Sequence, residues 1–123
     1  MTSLSPMVAP KRRNKYGVRL DPVGVEIRTV DGIRFDSVRE AKRYGELKLL
    51  ERAHEIAGLE LQKRFPLRVN GKLVCTWICD FVYADVRDRK QVAEDCKGVR
   101  TPVFRMKAKL FAALYPEYEL RLT

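Results

Sequence analysis

Two short acidic fragments hold the residues best suited to chemistry. Asp80 lies within residues 73–83, where every other side chain is uncharged. A carboxylate in such an apolar stretch costs several kcal/mol unless a cation compensates it. Asp95 follows in the next strand-like segment, with Lys97 two positions beyond it. Two carboxylates and a lysine that converge at neighbouring strand ends predict a divalent-metal site for phosphodiester cleavage.

Strand alternation assigns a direction to each residue of the second fragment. Side chains two positions apart share a face, so Asp95 lies with Lys97. Glu94 is then expected on the other side of the sheet or in solvent. The backbone carbonyl of Cys96 lies between Asp95 and Lys97 and is a further candidate oxygen ligand.

The same rule places Asp80 with Val82 on one face of its strand and Cys79 on the other. If the two strands are neighbours, Asp80 and Asp95 converge at one edge of the sheet. Mg²⁺ suits such a site, because it binds one or two carboxylates together with waters and substrate phosphate. A nearby lysine orients the water or binds the developing negative charge.

Turn and cap signals define the elements that must position these residues. Asp31-Gly32 predicts a hairpin between residues 25–30 and 33–35. Ser37 followed by Glu40 matches a capping box, so a helix is expected from there to about Ile56, with Gly58 ending it. This cap is by itself a sufficient reason for a glutamate at position 40.

An antiparallel meander, a second helix and a last strand should follow. Asn70-Gly71 joins two strands as a hairpin, the first of them interrupted near Pro66. Thr101-Pro102 is a good start for the second helix. The predicted segments are strands at 59–69, 73–84 and 91–97, a helix at 102–114 and a strand at 118–122.

The chain has 123 residues and a net charge of +9, which predicts one domain that binds a polyanion. We expect a basic arm at residues 1–22 and one domain at 23–123. Lys11, Arg12 and Arg13 of the arm either follow a phosphate backbone or only increase solubility. No apolar run reaches the ~18 residues of a membrane span. The three cysteines fit reduced residues of a cytosolic protein.

Asp80 and Asp95-Cys96-Lys97, within this order of elements, resemble the motif of the PD-(D/E)XK nuclease superfamily. The first proline of the motif is absent, because Cys79 precedes Asp80. A small family of phage and prophage proteins within that superfamily is similar over roughly residues 15–122. The similar fragments are residues 31–37, 40–41, 59–62, 65, 80–83, 94–98, 101–102 and 107–111.

The resemblance implies a restriction-endonuclease-like core of the α/β (α+β) class around a central mixed sheet, and a set of site residues. It makes Asp80 and Asp95 metal ligands and Lys97 the catalytic lysine. It adds Glu40 as a further acidic residue of the metal site and Gln62 as a substrate or water contact. Mg²⁺ is the implied cofactor, with Mn²⁺ expected to substitute, and the implied location is the cytoplasm of a bacterial host.

The expected function is metal-dependent cleavage of DNA, with branched DNA such as a Holliday junction as the substrate. A symmetric junction requires two active sites, and therefore a homodimer. Arg105 and Lys109 of the second helix either meet phosphates or solvate the helix surface. Lys107 of the same helix is expected to project toward the site as a further DNA contact. The alternatives are a non-catalytic DNA-binding or packaging accessory with the same fold, and a basic RNA-binding protein.

Overall fold

The computed structural model describes residues 28–96 and 99–123. The predicted arm at residues 1–22, Lys97 and Gly98 therefore lie outside the described residues. The chain divides into two compact units, residues 1–45 and 46–123, and the boundary falls within the first helix.

A short hairpin begins the described part of the first unit. Strands β1 (Thr29–Val30) and β2 (Ile33–Arg34) pair antiparallel. Asp31 and Gly32 between them have φ values of 52° and 76°, as a type I′ turn requires. The predicted turn is confirmed, and β2 ends at Arg34, one residue before the predicted Phe35. Residues 25–27 of the predicted first strand lie outside the described residues.

Helix α1 (Val38–Arg52) begins where the capping residues predicted. The backbone N–H of Glu40 donates a hydrogen bond to Ser37 Oγ at 3.1 Å, which satisfies one of the unpaired N–H groups of the first turn. Further along this unit, the hydroxyl of Tyr44 donates to Asp31 Oδ2 at 3.3 Å.

The prediction for the end of α1 was wrong. The helix ends at Arg52, and His54 turns the chain with a φ of 60°. Ile56 already belongs to the first long strand, where it pairs with Asp85. Gly58, with a φ of 65°, lies inside that strand between the paired positions Ala57 and Glu60, where the register shifts. Its positive φ therefore serves a strand irregularity and not a helix cap.

The second unit contains four strands and helix α2. Their bounds are β3 Ile56–Val69, β4 Lys72–Asp85, β5 Lys90–Asp95, α2 Pro102–Leu114 and β6 Tyr118–Leu122. The strands form a mixed sheet in the order β3-β4-β5-β6. β3, β4 and β5 form an antiparallel meander, and β6 lies parallel to β5 after a crossover through α2. This confirms the predicted order of elements and the α+β class.

β3 runs through Pro66 without the predicted interruption. β3 lies at one edge of the sheet, and an edge strand tolerates the missing N–H of a proline. Pro66 pairs with Thr76, and its carbonyl accepts a hydrogen bond from the Tyr115 hydroxyl at 2.8 Å. The Asn70-Gly71 turn is confirmed, with φ values of 52° and 77°.

Helix α2 packs against one face of this sheet. Thr101 Oγ1 accepts the N–H of Phe104 at 3.1 Å, so the predicted N-cap is confirmed. The fully buried Phe111 lies at the centre of the contact, with ring centroids 5.0 Å from Phe65 and 5.8 Å from Trp77. Neither helix of the described residues is long and apolar enough to cross a membrane.

Substitution of Phe111 tests whether this aromatic contact holds the second unit together. Phe111→Ala should lower the free energy of unfolding by about 3–5 kcal/mol, because it leaves a cavity between helix and sheet. Val103→Ala on the same helix is the control, since Val103 is 62% exposed and its loss should cost less than about 0.5 kcal/mol. Urea unfolding measures the free energy of unfolding of each variant. Equal losses for Phe111→Ala and Val103→Ala would contradict the central place of Phe111 in the contact between helix and sheet.

Candidate functional site

Asp80 and Asp95, here called the aspartate pair, lie side by side where β4 and β5 stop pairing. Phe81 pairs with Glu94, and the aspartates occupy the next position on each strand. β5 ends at Asp95, whereas β4 continues past Asp80 as far as Lys72. The structure therefore brings together the two carboxylates that the sequence proposed as metal ligands.

Each aspartate of the pair accepts a backbone hydrogen bond from the other strand. The N–H of Asp80 donates to Asp95 Oδ1 at 3.2 Å, and the N–H of Cys96 donates to Asp80 Oδ2 at 2.8 Å. The carbonyl of Asp95 accepts the N–H of Thr123 at 3.0 Å. Both aspartates are buried, at 9% and 7% exposure. These bonds fix the positions of the carboxylates in the sheet.

Gln62 contacts the aspartate pair from β3. Its Nε2 donates to Asp80 Oδ1 at 3.2 Å. Gln62 has a φ of 52°, a conformation that non-glycine residues seldom adopt. It lies between the pairs Leu61–Phe81 and Lys63–Cys79, directly across from Asp80. The strained backbone and the contact occur at one place, as is common at functional sites.

The predicted alternation is interrupted near Asp80. Strict alternation separates Cys79 from Val82, yet both join Trp77 in one hydrophobic cluster. The strand thus changes the direction of its side chains between Cys79 and Val82, at the level of the irregular Gln62 on β3. This change of side-chain direction could not be predicted from the periodicity of β4, because it depends on the pairing with β3.

Glu94 is buried with no measurable exposure, so solvent is excluded as its location. The hydroxyl of Tyr83 donates to Glu94 Oε1 at 2.7 Å. Glu94 also pairs in register with Arg121 of β6. Alternation along β5 thus gives the two adjacent acids different surroundings, and it is Asp95 that meets Asp80.

The Cys79 thiol lies against the same end of β5. Its sulfur is 3.1 Å from the carbonyl oxygen of Glu94 and 3.4 Å from that of Phe81. Burial, and after it the negative charge of Asp95, raise the pKa of this thiol to about 12. The thiol therefore stays protonated and donates to a carbonyl, as a structural residue and not a nucleophile.

Three predicted site features remain untested by this geometry. Lys97 lies outside the described residues. Glu40 is buried and belongs to the first unit, whereas the aspartate pair belongs to the second. Cys96 reaches the pair through its N–H, and coordination by its carbonyl stays a prediction.

The predicted DNA-binding cations fall in different surroundings. Arg105 is exposed and donates from Nη2 to the carbonyl of Arg100 at 3.2 Å. Lys109 is exposed and Lys107 is half-buried on the same helix. The cations of the arm, Lys11, Arg12 and Arg13, lie outside the described residues.

The aspartate pair could hold a cation that needs few protein ligands. Among residues 28–96 and 99–123, no three His, Cys, Asp or Glu side chains gather as a metal-binding group. Mg²⁺ needs only one or two carboxylates, because it keeps waters and takes phosphate oxygens. A carboxylate offers about four lone-pair sites, so the two hydrogen bonds to Asp80 leave it able to coordinate a cation.

Sequence reasoning missed the cations of the β3–β4 hairpin. Residues 61–79 contain four basic residues and no acidic residue, and this bias was visible in the sequence. The four are Lys63, Arg64, Arg68 and Lys72. The alternating pattern of β3, with exposed positions between buried ones, places Arg64 and Arg68 on the side away from the core.

Comparison with known proteins identifies the family of this chain. A family model described as "Protein of unknown function (DUF1064)" matches residues 23–123, so the chain belongs to the DUF1064 family. Comparisons with curated proteins and with solved structures gave no match.

The raised pKa of Cys79 predicts low thiol reactivity in the folded protein. In a variant with Cys75→Ser and Cys96→Ser, iodoacetamide should react with Cys79 very slowly at pH 9, and the rate should rise only towards pH 12. In the unfolded chain the thiol ionises near its ordinary pKa, so it should react readily in guanidinium at pH 9. A fast reaction of the folded variant at pH 9 would contradict the assigned environment.

Proposed function

We propose that this protein is a metal-dependent endonuclease that hydrolyses phosphodiester bonds of DNA. The observation that carries the proposal is the aspartate pair. Two carboxylates at the end of a β-ladder, oriented by backbone hydrogen bonds and contacted by Gln62, are suited to hold Mg²⁺ against a phosphate.

The arrangement of elements supports a PD-(D/E)XK-type core. A helix, an antiparallel meander, a second helix and a parallel last strand follow one another in the order the resemblance implies. The two aspartates occur on the second and third strands of the meander, where that motif has its acidic residues. We propose this core as the finer description of the α+β fold.

In the proposed reaction a water oxygen bonds to phosphorus as the bond from phosphorus to one sugar oxygen breaks. Bound Mg²⁺ would lower the pKa of the water and stabilise charge on the phosphoryl oxygens. Asp80 and Asp95 supply the oxygen ligands, and the hydrogen bond from Gln62 orients Asp80. Lys97 takes its role from the resemblance alone, and its ammonium group would bind the developing charge.

Charge supports a nucleic-acid substrate. The chain carries +9, so phosphate contacts should supply most of the affinity and weaken steeply with salt. One small domain offers few elements for base readout, which favours recognition of DNA structure over sequence. We therefore propose branched DNA as the preferred substrate, with a homodimer acting on symmetric junctions.

The second candidate is a non-catalytic DNA-binding or packaging accessory with the same fold. It is favoured by one observation: within the described ranges only two carboxylates meet, and no third metal-ligating side chain joins them. In that case the aspartate pair would serve only to end the β4–β5 ladder.

Conservative substitution of the aspartate pair distinguishes the two candidates. Asp95→Asn keeps an oxygen that accepts the N–H of Asp80 but removes the charge that binds a cation. Cleavage of a four-way junction in Mg²⁺ should fall about 100-fold or more, while binding in EDTA is retained. Asp88→Asn in the β4–β5 turn makes the same chemical change away from the pair and should cleave like the wild type.

The substrate and metal panel completes this test. Four-way junction, linear duplex, single-stranded DNA and RNA are each incubated with Mg²⁺, Mn²⁺ or EDTA. Cleavage only with a divalent ion supports the nuclease. Binding of DNA without cleavage in any metal supports the accessory protein, and preference for RNA contradicts both.

A further inference from the structure

The β3–β4 hairpin has one face, here called the open hairpin face, that no described residue of its own unit covers. Three cross-strand pairs form it: Arg64 with Ile78, Pro66 with Thr76, and Arg68 with Leu73. The alternate residues Phe65, Leu67 and Trp77 point the other way, into the cluster packed by α2. One face of the hairpin thus belongs to the core and the other to solvent.

The open hairpin face combines apolar and cationic groups. Ile78 is 43% exposed and Leu73 is 53% exposed, and each lies across from an arginine. Within the described residues neither Arg64 nor Arg68 makes an ion pair, whereas Arg87 is paired with Glu55 and Lys90 with Glu119. With no acidic residue between positions 61 and 79, the charge of this face is uncompensated inside the hairpin.

The open hairpin face leads directly to the aspartate pair. On β3, Gln62 precedes Arg64 by two positions, and on β4, Asp80 follows Ile78 by two. Two positions beyond the Arg64–Ile78 pair, past Lys63 and Cys79, Gln62 donates its hydrogen bond to Asp80. Arg64 and Arg68, four strand positions apart, are separated by about 13 Å along β3.

We propose that the open hairpin face is the surface on which a DNA strand lies as it enters the aspartate pair. Arg64 and Arg68 bind phosphates, and the exposed Ile78 and Leu73 contact sugars or unstacked bases. This inference rests on the proposed function for its choice of DNA. A second copy of the chain fits this face poorly, because each copy would bring the same uncompensated positive charge.

Substitution of the two arginines tests the open hairpin face by DNA binding, without the need for cleavage. Fluorescence anisotropy with a labelled four-way junction in EDTA compares the wild type with Arg64→Gln/Arg68→Gln. Affinity of the double variant should fall about tenfold or more at low salt. The slope of log K against log salt should become less steep by about 2, because two phosphate contacts are lost.

The matched control is Arg52→Gln/Arg89→Gln, which removes the same charge from α1 and from the β4–β5 turn. It should keep the wild-type salt slope, and its urea midpoint and that of the test variant should match the wild type. Equal binding loss in the two double variants, or no loss in either, would overturn the proposed surface. A higher affinity for RNA than for DNA, or a dimer that dissociates only in the test variant, would overturn it as well.

The two proposals fail in different ways. A wild type that cleaves DNA, with a test variant that binds and cleaves equally well, overturns only the surface. A wild type that binds DNA through Arg64 and Arg68 but cleaves nothing in any metal overturns only the nuclease.

Discussion

The reciprocal bonds of the aspartate pair are the constraint on which the candidate site depends. β5 stops at Asp95, so the N–H groups of Asp80 and Cys96 bond to carboxylate oxygens where a longer strand would offer carbonyls. A buried N–H left without an acceptor costs about 1–3 kcal/mol, and these carboxylates remove that cost. The groups that could bind a metal are therefore also the groups that end the ladder. Their positions are set by the backbone before any cation arrives, which is the preorganisation that a catalytic site needs.

The two reactive or acidic residues next to the aspartate pair, Cys79 and Glu94, take no part in the candidate site. The Cys79 thiol remains protonated beside it, because burial and the charge of Asp95 raise the pKa of the thiol. Glu94, adjacent in sequence to Asp95, is directed to the Tyr83 hydroxyl. A single strand of six residues thus supplies one carboxylate to the site and one to an internal hydrogen bond.

The parts of the fold that were predictable have local causes. Asp31-Gly32 and Asn70-Gly71 form turns because these residues tolerate positive φ, and Thr101-Pro102 begins a helix because the Thr101 hydroxyl caps it. All three are found where expected. The end of α1 was missed because Ile56 pairs with Asp85, which is 29 positions away in the sequence. A local sequence pattern contains no information about such a distant strand partner. The meeting of Asp80 and Asp95 followed from strand order and was anticipated. The contact of Gln62 with Asp80 depends on a positive φ inside a strand, which residue preferences argue against.

The hairpin explains how so small a sheet can serve core and site together. Along β4, Trp77 and Cys79 enter the cluster against α2, while Ile78 between them lies on the exposed side. Packing against α2 therefore fixes the backbone of β4 up to Cys79, the residue directly before Asp80. The backbone of Asp80 is positioned by that burial, and its side chain by its own hydrogen bonds. A substitution in the core of the second unit should then shift the position of Asp80 without a direct contact, since core and site residues share the backbone of β4.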